Sequence, residues 1–123
     1  MKFTLEPATQ TNLIRGYSAT QVLIGEQSIE RSCIVTPTQL ITDWEPASFD
    51  DLLAEHLETI FALTPQLVLL GCGATQRFAS AEVRRAFAQR GVGLEVMQLG
   101  AACRTFNVLV QEERQVAAAL FLR

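Results

Sequence analysis

The segment Gln66-Leu67-Val68-Leu69-Leu70-Gly71 is apolar without interruption from Leu67 to Leu70. A strand with one face in water alternates apolar and polar residues. This one does not, so it reads as a short strand buried on both faces, the kind found inside parallel sheets. Such a strand needs cover on each side, and the flanking sequence supplies helical patterns. Leu53, Leu57, Ile60 and Phe61 fall at helical spacing before it, with Leu52 widening the stripe. Ser48, Asp50 and Asp51 offer caps and favourable charge at that helix's start, and Thr64-Pro65 ends it. Ser80 is a predicted N-cap for a second helix that carries Val83, Ala86, Phe87 and Arg90 on one face and stops at Gly91. Leu94 to Met97 reads as a strand. Ala102, Phe106, Leu109 and Val110 mark a third helix over 101–112, and Gln115 to Leu122 closes the chain as a strand. This order, helix and strand in turn, implies parallel pairs joined by crossovers.

The first part of the chain has a different period. Asn12 to Tyr17, Gln21 to Ile24 and Ser28 to Val35 are rich in β-branched residues, and Gly25 sits where a hairpin needs an unusual φ. Pro37 ends that run, because proline cannot donate to a ladder. Gln39 to Trp44 is a further short strand. No repeat and no linker divides the chain. The prediction is therefore a single domain over 1–123 of mixed α/β (α+β) class. It has three layers: a central mixed sheet, helices on one side, and an antiparallel β-hairpin layer on the other.

Composition narrows the function classes. With 123 residues, 49% of them hydrophobic, the chain can bury roughly two thirds of its unfolded surface. It needs neither disulfide nor metal to fold. The formal charge is −3, Lys2 is the only lysine, and the arginines are scattered, so there is no electrostatic footprint for nucleic acid. Cys33, Cys72 and Cys103 are widely spaced with no CxxC, and His56 is the only histidine. A zinc site is not expected, and the thiols read as reduced. No cofactor is implied. His56, beside Glu55 and near Glu58, is assigned to a solvated helix face. The start MKFTLEPATQ has no signal-peptide core. The longest apolar run, Val116 to Leu122, is too short to span a bilayer. A cytoplasmic protein without membrane insertion is expected, with its oligomeric state left open.

Two turns are candidates for ligand sites, against the alternative that Gly71 and Gly73 serve only a turn with φ > 0 and Asn107 only the fold. Gly71-Cys72-Gly73 follows the buried strand, and open α/β sheets bind ligands beyond the carboxyl ends of their strands. Paired glycines let backbone amides approach an anion, although the pattern is neither Walker A nor GxGxxG. The second turn is Gly100-Ala101 with Arg104, Thr105 and Asn107 on the helix that follows. Arg104 in a first helical turn opposes the helix dipole, so it calls for an anion, a partner, or a carboxylate such as Glu95. A small-anion site between these turns would comprise Gly71, Cys72, Gly73, Arg77, Gly100, Ala101, Arg104, Thr105 and Asn107. Its charge would come from Arg77 and Arg104. No histidine is placed to activate Cys72 or Cys103, so inert thiols and no catalytic residue are expected.

The run Ala102-Cys103-Arg104-Thr105-Phe106-Asn107-x-Leu109 resembles a known family of small domains. Gly16-Tyr17, Ile24-Gly25, Ser32, Pro37, Trp44, Gly71-x-Gly73, Gly91, Glu95-x-Met97 and Glu112-x-Arg114-x-Val116-Ala117-Ala118-Ala119-Leu120 fit the same spacing. The family includes the mitochondrial NADH dehydrogenase (complex I) assembly factor 3 proteins and the adipogenesis-associated domain proteins. The resemblance implies a three-layer fold on a mixed central sheet and a non-enzymatic role in binding another protein. Two positions depart from its pattern: Glu113 stands where relatives usually have glycine, and Cys72 where many have threonine.

Overall fold

The computed structural model describes residues 11–122. Within them lie two sheets. β1 (Ile14–Tyr17), β2 (Val22–Ile24) and β3 (Gln27–Ile29) form an antiparallel sheet in chain order. The second sheet contains β4 (Cys33–Val35), β5 (Leu40–Ile41), β6 (Leu67–Gly71), β7 (Gly93–Met97) and β8 (Val116–Leu120). Its order is β5-β4-β8-β6-β7. β6 pairs in parallel with both β7 and β8, and β4 runs antiparallel to β8. The helices are α1 (Leu57–Phe61), α2 (Ala81–Arg90) and α3 (Leu99–Gln111). The mixed class and the buried central strand follow as the apolar run dictated.

Period-2 alternation divides the core into two faces. Val68 and Leu70 of β6 join Ala117 and Ala119 of β8 on one side, under Leu57, Ile60 and Phe61 of α1 and Val83 and Phe87 of α2. Leu69, Ala118 and Leu120 face the other way, against Ala102, Cys103 and Phe106 of α3 and Ile14, Val22 and Ile24 of the small sheet. The three alanines of β8 keep the middle of the sheet thin, so large side chains close in from both sides. Phe87, Phe106 and Phe121 are fully buried, each contributing roughly 1.5–3 kcal/mol by leaving water. One detail of the layering differs from expectation. α3 does not join α1 and α2; it shares the opposite face with the hairpin layer, because its stripe of Ala102, Phe106 and Val110 matches the β6 and β8 residues of that face.

Three further boundaries differ. The helix expected from residue 50 is two separate 3₁₀ turns, Phe49–Asp51 and Ala54–His56, before α1. Leu52 and Leu53 between them have extended ψ angles of 123° and 163°, which rotates Leu53 out of the stripe to 46% exposure. The stretch Ser28–Val35 is not one strand: Ser32 turns inward and its hydroxyl donates to the Pro46 carbonyl, so β4 leaves the small sheet for the large one. Only Leu40–Ile41 of the Gln39–Trp44 segment is strand. Trp44 instead enters the core, its ring tilted at 46° against Phe121 with centroids 5.3 Å apart and its Nε1 donating to the His56 carbonyl at 3.1 Å.

Candidate functional site

Because β6 and β7 are parallel with Gly71 opposite Met97, their carboxyl ends open at one place. The two loops are tied together there. The Cys72 amide donates to the Met97 carbonyl at 2.8 Å, and the Leu99 amide to the Gly73 carbonyl at 2.8 Å. Gly73 takes φ 93°, a conformation open to glycine. Beyond the loops lies a cleft of about 420 Å³ lined by Gly73, Ala74, Gln98, Leu99, Gly100, Ala101 and Arg104, with Tyr17, Ser18, Ala19 and Leu122 opposite. The structure thus brings together Gly73, Gly100, Ala101 and Arg104 of the sequence-derived set.

α3 begins at Leu99 with Gln98 as its N-cap, two residues before the predicted start. Gly100 is therefore in the helix, and Arg104 lies in its second turn, where the dipole opposes a cation less. The Arg104 Nη1 donates to the Tyr17 hydroxyl. Among the described residues no carboxylate, Glu95 included, forms an ion pair with Arg104. The Tyr17 ring lies directly on Gly100: a Cβ there would meet the Tyr17 Oη at 2.8 Å and Cε1 at 2.9 Å. Glycine at 100 thus makes room for the tyrosine that holds Arg104.

The remaining candidates go elsewhere. Gly71 is a packing position, where a Cβ would lie 3.1 Å from both Ala102 Cβ and Leu120 Cδ2. Cys72 is buried in the α1–α2 face, and its thiol donates to the Thr75 carbonyl at 3.3 Å. Arg77 does not reach the cleft. Its guanidinium pairs with Asp50 and lies 5.8 Å from the centre of the Phe49 ring, and that hydrogen bond holds the Asp50 carboxyl below its ordinary value. Thr105 is half-buried on α3, outside the cleft lining. Asn107 serves the fold: its Oδ1 accepts from the Ile14 amide and its Nδ2 donates to the Ile14 carbonyl, each at 2.8 Å. Burial pushes the Cys33 and Cys103 thiols up to about 12 each. Sequence reasoning missed Ala74, Gln98 and Leu99 beside the two turns, and Tyr17, Ser18, Ala19 and Leu122, which come from the two ends of the chain. The one sequence signal for them is Gly16-Tyr17 in the spacing that the family resemblance rests on.

Glu45, Glu55 and His56 place ligand atoms within 4.8 Å of one another. His56 is not on a solvated face; its side chain is 11% exposed. Its Nδ1 accepts from the Leu53 amide at 2.9 Å, which puts the ring proton on Nε2, 3.6 Å from Glu45 Oε1. A metal on Nε2 would force that proton to Nδ1, against a backbone donor. The residues fit a hydrogen-bonded turn and do not fit a metal.

Fold and cleft together define a small mixed α/β domain with an open strand-end site that presents hydrogen-bond donors. The chain belongs to the family described as "Protein of unknown function (DUF498/DUF598)", which matches residues 14–121. Among curated proteins it is similar to NADH dehydrogenase [ubiquinone] 1 alpha subcomplex assembly factor 3 of Danio rerio, 34% identical over 92% of this chain and 66% of that protein. It spans 59–66% of the length of such relatives. The solution structure of a Xanthomonas campestris protein matches with TM-score 0.86 and 36% identity, over 99% of this chain and 92% of that one. A Bordetella parapertussis crystal structure matches with TM-score 0.85 and 29% identity, over 94% and 98%. Among the described residues no helix is long and apolar enough to cross a membrane.

Proposed function

We propose that this chain is a non-enzymatic binding protein that holds another protein while a larger complex is assembled, with NADH dehydrogenase as the complex. The observation that carries this reading is the 34% identity to an NADH dehydrogenase assembly factor along 92% of the chain. The chemistry of the site supports it. Arg104, Tyr17 and the Gly100 and Ala101 amides of α3 are groups that hold a ligand, and the cysteines are buried. The test is genetic. Deleting the gene in its host should leave NADH dehydrogenase as partial assemblies on native gels, and the intact gene should restore the full complex. Normal assembly without the gene would overturn the reading.

A second reading is favoured by one observation, the uncompensated Arg104 in a cleft with the start of α3. Gly73, Gly100, Ala101 and Arg104 would hold a small anion there. Helix amides without intrahelical acceptors favour negative charge. A thermal-shift screen of phosphates, nucleotides and carboxylates tests it. Binding adds about 2.7 kcal/mol of stability at a hundredfold excess over Kd. No shift, or an equal shift in Arg104→Ala, would remove this reading.

A further inference from the structure

β7 is the last strand of its sheet. Its ladder to β6 is bounded by the Gly93 amide on the Gln66 carbonyl and the Cys72 amide on the Met97 carbonyl. Alternate residues of a parallel strand bond to the same neighbour. Gly93, Glu95 and Met97 therefore serve β6, and the backbone groups of Leu94 and Val96 point to the open edge. The side chain of Gln76 confirms that direction, since its Nε2 donates to the Val96 carbonyl at 3.2 Å from outside the sheet. An open edge is a template for another strand unless it is blocked; here the exposed Gln76 side chain holds the Val96 carbonyl, and an added strand displaces it.

The surface beside this edge suits an occupant. A groove of about 590 Å³ runs along it, lined by Leu94, Val96, Ala79, Phe78 and Arg84 among others. Phe78 is 90% exposed, an aromatic ring held in water at the groove's rim. Arg84 is fixed there by its Nε on the Ala79 carbonyl at 3.2 Å. Among the described residues Arg84 forms no ion pair. The strand that carries these outward backbone groups, the apolar side chains of Leu94, Val96 and Ala79, and Arg84 thus share one groove.

We infer that β7 receives an extended segment of a partner protein as a sixth strand, with apolar residues at alternate positions over Leu94, Val96 and Phe78 and an acidic residue against Arg84. Main-chain bonds give such strand addition its affinity, and the side-chain trough gives its specificity. The inference rests on the partner-binding reading and names the surface that performs it, on a different face from the α3 cleft.

The experiment uses the full chain and two fluorescein-labelled ten-residue probes, alternating valine–glutamate and alternating valine–lysine. The acidic probe should bind saturably with a Kd below about 1 mM, and the amide signals that move should centre on Leu94 to Met97. Val96→Pro removes an outward amide that β6 does not use, and Phe78→Asp changes an exposed ring. Each should weaken binding roughly tenfold or more, and Arg84→Glu should shift preference to the lysine probe. Circular dichroism of each variant should match the parent. No saturable binding of the acidic probe, or binding unchanged by Phe78→Asp and Val96→Pro, would overturn the inference. A self-dimer by light scattering that Val96→Pro abolishes would also overturn it, by giving the edge to a second copy. Full rescue of the deletion host by both variants would overturn the β7 site while leaving the assembly role standing. Failure of the parent gene to rescue would strike the role itself.

Discussion

Glu113 follows α3 at φ 60°. The Arg114 amide bonds to the Leu109 carbonyl and the Glu113 amide to that of Val110, so the helix ends in a Schellman motif with a side chain at its left-handed position. α2 ends the same way with Gly91 at φ 67°. A left-handed non-glycine residue costs roughly 1–2 kcal/mol, and glycine's greater unfolded freedom offsets part of its relief. Glu113→Gly should raise stability by about 0.5–1 kcal/mol in urea unfolding, and Gly91→Ala should lower it by about 1 kcal/mol. The departure from the glycine that the resemblance implies at 113 was legible in the sequence; the strain behind it became visible only as a φ angle. The thiols make a second case at this scale. Cys33 and Cys103 are raised from 9.0 to about 12 by burial. Their folded pKa exceeds the unfolded one, so their contribution is complete below about pH 9 and is lost as pH rises toward 12. Urea midpoints should fall over that range, and less so when both are alanine. Ellman's reagent at pH 8 should react with neither until the chain unfolds.

Among the elements, β6, α2 and β8 were legible because one pattern decided each: an unbroken apolar run, a serine cap with a glycine stop, and a valine-to-leucine apolar run. α1 was overcalled. The spacing of Leu53, Leu57, Ile60 and Phe61 is helical, yet the backbone at Leu52 and Leu53 is extended. Periodicity counts positions and does not see that break. The junction of β1 with α3 was not legible either. Asn107 supplies both hydrogen bonds that a neighbouring strand would give Ile14, across 93 positions of sequence. Asn107→Leu leaves both Ile14 groups without partners and should cost about 2 kcal/mol. Asn107→Asp keeps an acceptor for the amide but sets a carboxylate against the carbonyl, and should also destabilise. Hydrogen exchange at Ile14 should quicken in both variants.

Over the whole molecule, a thin alanine-centred sheet carries helices on both faces, and its two ends of interest differ in kind. At the carboxyl ends of β6 and β7 the chain presents donors: Arg104, Tyr17 and the amides of Gly100 and Ala101. Along β7 it presents a strand edge, Phe78 and Arg84. Gly73, Gly100, Ala101 and Arg104 of the sequence-derived set line the cleft, because glycines after apolar runs mark strand ends. The sequence could not unite Arg104 with Tyr17, nor remove Arg77 to its partner Asp50, since those pairings are made by the fold. Both surfaces suit the holding of a partner, the claim on which the account turns. Native mass spectrometry of the tagged full chain, isolated under non-denaturing conditions from its own host, tests it most directly. The expected result is a reproducible complex of this chain with a second, different protein. The chain alone, or only copies of itself, in every preparation would contradict the account.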